Sequence, residues 1–496
     1  MTHLRTIHVR LNDPRTNKPA PCWVNILDSQ QREYFPLSRT TRFPTGRAEL
    51  VGGVLFEHGK RWFVNDGSFE ILLPVEENLQ ISCNRGPHAP VLQQEMVIAP
   101  GQMTIRLTLP EPLPVSDEYC QVDARAHFVS PGYAALEGAA VGLDLVHLLI
   151  TPADFPSPDG HLYETAVNTE SFSGQAIAHS HENCQVVVNT LNTHTMRGRL
   201  GLLYCHRQVH PLSFGYLEDT DDWTLSDWRD QCHRKHGMAV WVDAYRAEKG
   251  LPGGEALALA VLGKIDALEF DEQPRQVSLL PHWYRLLNAG INLPIVGSSG
   301  KDSNRTAVGS FRTLTPKLPE FSHRTWTQQI LTGQAVITRG PILQANINGQ
   351  PFSSQLHLEA STVLHFGATV HSPTPGGTLE WLHQGKVIHK AIISEPLTKV
   401  DFQLEQHQSG WYAARIIDPS MREKSLIAHT APCRVQVGEQ GLPISKPATE
   451  SCISEINATI EWVKTYGRFQ QERNRTVILE TCQAALDVLD RNIAIL

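Results

Sequence analysis

Five short stretches of this chain carry side chains of the kinds that move protons, hold metals or grip anions. The first is Asp123-Ala-Arg125-Ala-His127. On a regular strand, residues 123, 125 and 127 share a face, which would put a carboxylate, a guanidinium and an imidazole into one space. The plainer alternative is an edge strand with a solvated face. The second, His179-Ser-His181-Glu182, has histidines at i and i+2, a spacing that chelates a zinc-type metal from a strand. Since it opens a strand over 185–189, an exposed loop is again the plainer reading. The third runs from Asn189 through Asn192 and His194 to Arg197-Gly-Arg199, and its following strand ends at Cys205-His206-Arg207. The fourth, Trp241-Val-Asp243-Ala-Tyr245-Arg246, ends another strand, and both of these also fit solvated strand exits. The fifth is Gly297-Ser298-Ser299-Gly300-Lys301-Asp302-Ser303-Asn304. This turn is either a tight strand exit or a source of backbone N–H groups for an anion. The chain has no Gly-x-Gly-x-x-Gly, no Walker loop, no His-Glu-x-x-His and no Gly-x-Ser-x-Gly.

The elements that must position these residues follow from length and pattern. With 496 residues, 41% hydrophobic and 19% charged, the chain is globular, about three domains long. The formal net charge of -8 argues against a general nucleic-acid binder. No apolar run reaches membrane-spanning length, and the first ten residues lack the apolar core of a secretory signal. The nine cysteines, odd in number and without a Cys-x-x-Cys, read as reduced thiols of a cytoplasmic protein.

Alternating runs over 7–11, 22–27, 61–64, 69–72, 79–83 and 103–109, separated by turns such as Asn65-Asp66-Gly67, predict an N-terminal β-sandwich over 1–112. Glu111-Pro-Leu-Pro114 is a stiff linker. Residues 113–335 then alternate helix and strand, which predicts a parallel sheet or barrel with its chemistry where the strands finish. Residues 336–440 return to alternating strands, and 450–496 pattern as a helical hairpin broken near Gly467.

Taken in order, the five stretches resemble the PHP (polymerase and histidinol phosphatase) domain, in particular the CehA/McbA-type metallohydrolases. The family's Asp-x-His-x-His falls on Asp123-x-Arg125-x-His127, and its Gly-His before a strand on Gly198-Arg199. A segment after Gly142-Leu143-Asp144 reads Leu149-Ile150-Thr151-Pro152-Ala153-Asp154. His-Pro becomes Asp243-Ala244, and Gly-Ser-Asp-x-His becomes Gly297-Ser298-Ser299-Gly300-Lys301. Arg85-Gly86-Pro87, Gly333-x-x-x-x-Thr338-x-Gly340-Pro341, Ser409-Gly410-Trp411 and Ala428-His429-Thr430 resemble the family's flanking modules. The resemblance implies a distorted (β/α)7 barrel between a β-sandwich and an Ig-like β-module, followed by a helical tail.

Of the implied ligand positions, Asp123 and His127 keep a ligand type in register, and Asp243 is a ligand type in place of a different one. Three others are cations: Arg125, Arg199 and Lys301. They face the carboxylates Asp123, Asp154, Asp243 and Asp302, and unpaired carboxylates in a partly buried pocket are costly. Three readings follow. The cations and carboxylates form a structural network; or Arg125, Arg199, Arg246, Lys301 and Asp302 frame a metal-free pocket for a small anionic ligand; or a relocated metal uses His127, His179, His181, His194 or His206. The expectation is a degenerate PHP-type protein with no cofactor, binding an anion or a partner at the barrel mouth. The alternatives are an active hydrolase and a scaffold. In the hydrolase, Asp123, His127 and Asp243 would hold Zn, Mn or Fe, and His206 would act as acid or base. The scaffold would meet a protein partner through its β-modules.

Overall fold

The computed structural model describes residues 3–37, 43–44, 50–57, 59–156, 162–215, 220–245, 251–271, 278–352, 355–360, 362–406, 409–418, 420, 426–439 and 441–494. The chain is mostly β-sheet, with seven α-helices among the described residues.

The N-terminal module packs two sheets face to face. In one, Leu4–Asn12 lies between Thr104–Thr108 and Ser68–Pro74. In the other, Leu92–Val97, Asn78–Asn84, Cys22–Asp28, Lys60–Asn65 and Val54–Glu57 follow in order. Ile7, Val9 and Leu11 are fully buried between them, as a period of two requires. Gly67, at φ +85°, closes the Asn65-Asp66-Gly67 turn where any Cβ would run into the Ala20 backbone.

The central region is a sheet that returns on itself. Tyr119–Ala126, Leu145–Ile150 and Cys184–His194 pair in parallel. Gly198–Leu203 is antiparallel to both Cys184–His194 and Met238–Val242. Parallel pairing then resumes through Ala267–Asp271 to Ile295–Ser298. Arg312–Pro316 neighbours Ile295–Ser298 and pairs antiparallel with Tyr119–Ala126, which closes the circuit. Val122, Leu149, Val187, Val240 and Val296 fill its interior, and Trp326 and Ile330 of α5 (His323–Leu331) join the same cluster. Outside lie α1 (Pro131–Ala140), α2 (Leu225–His233), α3 (Gly254–Val261) and α4 (Leu280–Asn288). Helix α2 starts where Thr224 and Asp227 cap each other's backbone N–H groups. Helix α1 has little amphipathic signal in the sequence, because Gly138 and two alanine pairs weaken it, and burial against Val146 and Cys184 stabilises it instead.

Two expected boundaries shift. Val336–Thr338 pairs with both Arg312–Pro316 and Leu426–Thr430, so one sheet runs unbroken from the closed circuit into the C-terminal β-module. That module's second sheet is built on Ile342–Ile347, Thr362–His371 and Leu397–Gln406, with Trp381, Phe366 and Tyr412 between the layers. The helical hairpin, α6 (Lys446–Thr465) and α7 (Glu472–Ala494), is not a separate unit. Its Cys452, Ile456, Val463, Ile478, Cys482, Ala485 and Leu489 share one apolar core with Trp228, Leu257 and Trp283 of α2, α3 and α4. All nine cysteines are buried free thiols. Among the described residues, no helix is long and apolar enough to cross a membrane.

Candidate functional site

The strand Tyr119–Ala126 does not keep a single face. Its pairing with Leu145–Ile150 slips between Asp123 and Ala126. Ala124 consequently belongs to the interior cluster, while Ala126, two residues on, packs with α1. Such a bulge re-aims side chains, and it separates Asp123 from Arg125 and His127. Asp123 becomes a loop anchor: it accepts hydrogen bonds from Ser299 N (3.0 Å), Ser299 Oγ (2.6 Å) and Gly309 N (2.8 Å). Burial holds its carboxyl above the ordinary range despite these donors.

Arg125 points instead into the end of the circuit and lies among three carboxylates. Its Nε meets Glu269 Oε1 at 2.6 Å and its Nη2 meets Asp271 Oδ2 at 2.7 Å, with Asp243 Oδ1 at 3.5 Å. Burial opposes the guanidinium charge, but Glu269, Asp243 and Asp271 outweigh it and hold Arg125 above its ordinary pKa. Burial also pushes the Glu269 carboxyl up; Arg125 pulls it down, and Asp271 and Asp243 push with burial. Ligand oxygens of Asp243, Glu269 and Asp271 lie within 4.8 Å of one another, close enough to hold a metal ion. The side chain found among them is Arg125.

Asp243 sits at φ +51°, just past Met238–Val242, in the left-handed region that Asp tolerates better than most residues. There it also accepts from Arg199 Nη1 at 2.7 Å. Arg199, on Gly198–Leu203, has 37% of its side chain exposed. A cavity of about 130 Å3 opens beside it, walled by Trp241, Asp243, Tyr245, Pro252 and Gly253. The cluster therefore holds two guanidinium groups, Arg125 and Arg199, against three carboxylates.

The other expected residues divide clearly. His127 is a satisfied core histidine: Nδ1 meets Leu149 O at 3.0 Å and Nε2 meets Arg125 Nη1 at 3.2 Å. Burial, reinforced by Arg125, pulls its pKa down to about 3. Lys301 does not reach the mouth. Fully buried, it donates to Thr306 O (2.7 Å) and Ser303 O (3.2 Å) and lies 3.5 Å from Glu137, so it braces the loop that follows it. Asp302 is half-buried, and its charge reaches His127. His206 is exposed at a strand exit after buried Cys205. His179 and His181 form a short surface hairpin arm against Cys184–His194, and neither joins a metal-sized group among the described residues. His194 is buried and bonded to Asp221 at 3.0 Å, while its Nδ1 accepts from Met196 N and Arg197 N. Arg246 and the Asp154 side chain lie outside the described residues.

Glu269 and Asp271 were not singled out in the sequence, whereas Arg197 belongs to its third stretch. Glu269 and Asp271 occupy alternate positions of Ala267–Asp271, so strand periodicity alone aims both carboxylates the same way. Arg197 is fully buried and bonds Glu255 Oε2 at 2.8 Å and Asp221 O at 2.9 Å.

No family model matches this chain, and no curated protein matches it. Among solved structures, the N-terminal eight Ig domains of Down Syndrome Cell Adhesion Molecule (DSCAM) align with 88% of it at 8% identity and a TM-score of 0.12. This chain spans 58% of that one.

Proposed function

We propose that this chain is a PHP-type barrel protein, flanked by an N-terminal β-sandwich and an Ig-like β-module, in which Arg125 takes the place of a catalytic metal. On this reading it performs no metal-dependent hydrolysis and binds a small anion, a carboxylate, phosphate or sulfate, at the mouth through Arg199. One observation carries the reading: a buried guanidinium lies 2.6 and 2.7 Å from two of the three carboxylates that would otherwise hold a cation. A divalent ion there would place two further positive charges against Arg125 at low dielectric, and the arginine would have to leave first. Arg199 uses one nitrogen on Asp243 and keeps the rest of its planar fork for the cavity, which suits bidentate grip on an oxyanion.

A second reading, an active hydrolase, draws on the compactness of Asp243, Glu269 and Asp271. Two measurements on the purified protein separate the readings. Elemental analysis after incubation with zinc, manganese and iron should find no retained metal. Phosphate, sulfate or acetate should raise the melting temperature of the wild type and not of Arg199→Ala, because a ligand that binds the native state stabilises it by mass action. Retained metal, or an anion response that survives Arg199→Ala, would overturn the proposal.

A further inference from the structure

A groove open to solvent lies away from the mouth, at the seam between the closed sheet and the C-terminal β-module. Its volume is about 460 Å3, several times the mouth cavity and within the range of small-molecule sites. Leu314 and Ala335 form one wall and Leu343 and Phe352 the other, all buried, with half-buried Val336 and Ala345 beside them. The buried side chains close its floor, and the apolar surface that still faces solvent belongs to the half-buried residues, Val336 and Ala345 among them.

Tyr119, Thr332, Gln334, Gln344 and Thr430 bring polar groups to the groove, and several are satisfied from within the chain. Thr332 Oγ1 donates to Gln328 O, Thr430 Oγ1 accepts from Ala414 N, and Gln344 Nε2 donates to Glu118 Oε2. Exposed Gln334 stands at the rim with its amide available. None of the described residues lining the groove is charged.

We infer that this seam is a binding site for an uncharged, largely apolar small molecule, oriented by one carbonyl or hydroxyl at Gln334. A charged ligand would lose its hydration there without gaining an ion pair. An uncharged one removes the apolar surface of Val336 and Ala345 from water. The site is independent of the mouth and of any anion bound there.

The test is a fluorescence titration of the full chain with Nile red, an uncharged apolar dye. The expected result is a saturable blue-shifted signal at one dye per chain. Two variants should weaken it about tenfold or more, a change large enough to read directly as affinity: Ala345→Trp, which fills the groove, and Gln334→Trp, which covers its rim. Ile392→Ser, at a residue 76% exposed elsewhere on the β-module, should leave the titration unchanged. If Ala345→Trp lowers the melting temperature, Gln334→Trp, at an exposed position, decides. A signal that does not saturate, or one that Gln334→Trp leaves intact, overturns the inference.

Discussion

Two arginines of this chain are buried with carboxylates at hydrogen-bond distance, and their surroundings differ. Arg197 meets one carboxylate, Glu255, and two backbone carbonyls, Asp221 O and Trp223 O. Charge is balanced one to one, and burial leaves its pKa below the ordinary value. It fastens the turn before Gly198–Leu203 to α3 and to the loop ahead of α2. Arg125 meets three carboxylates, which hold its pKa above the ordinary value. A fastener needs one counter-charge. Three carboxylates share the buried Arg125, and Asp243 needs Arg199 as well, the pattern of a position shaped for more positive charge than a single arginine brings.

The comparison is broken most forcefully by removing each arginine. Arg197→Ala should cost about 3–5 kcal/mol of stability in urea unfolding, because it strands a buried carboxylate. Arg125→Ala should destabilise on the same scale, yet manganese or zinc should restore the melting temperature of this variant and leave Arg197→Ala unaffected. Should neither variant, or both, respond to metal, the two arginines do the same job and the contrast fails.

Acid should separate the regions next. His194 beside Arg197, with His323 and His429 elsewhere in the core, has its pKa pulled down to about 3 by burial. Each folded value lies below the free histidine value near 6.5, so each contributes stability that is present above that pH and lost as pH falls toward 3. Glu269 beside Arg125 is shifted upward, so its contribution has the opposite sign: present at low pH and lost as pH rises. Between pH 7 and pH 5, His194→Gln should lose about 2 kcal/mol less stability than wild type, measured as the change in urea midpoint at each pH. Equal losses would show that folding does not lower the pKa of His194.

Asp243→Asn should have a smaller effect, about 1.5–3 kcal/mol, the scale of a hydrogen bond to a charged group. Asparagine accepts the left-handed backbone at this position, so the substitution isolates the charge. An unchanged melting temperature would count against the pairing of Asp243 with Arg199 and Arg125. Arg199→Ala should be the mildest, under about 1 kcal/mol at a side chain 37% exposed, while removing the anion response.

Much of the fold is legible in the sequence where signals are local. The strands Cys22–Asp28, Asn78–Asn84, Thr362–His371 and Gly410–Ile417 sit where alternation places them, and buried Ile478, Cys482, Ala485 and Leu489 follow a helical stripe. Of the site, Arg125, Asp243 and Arg199 are legible as charged residues at strand ends. What fails is long-range or depends on irregular backbone. The bulge after Asp123 breaks the shared face that periodicity assigns to 123, 125 and 127. Lys301 looks like a mouth cation, but Glu137, 164 residues earlier, and the carbonyls of its own loop draw it inward. Glu269, 144 residues from Arg125, becomes its partner through sheet order alone, which no spacing encodes.

The most direct test of the central claim is the metal content of the wild-type protein measured beside Arg125→Ala, both incubated with manganese and zinc and then desalted. A resident guanidinium predicts a wild type free of metal and a variant that retains about one ion per chain, since three carboxylates within 4.8 Å then lose the guanidinium they share, while Asp243 keeps Arg199. Metal retained by the wild type, with Arg125 in place, would contradict it.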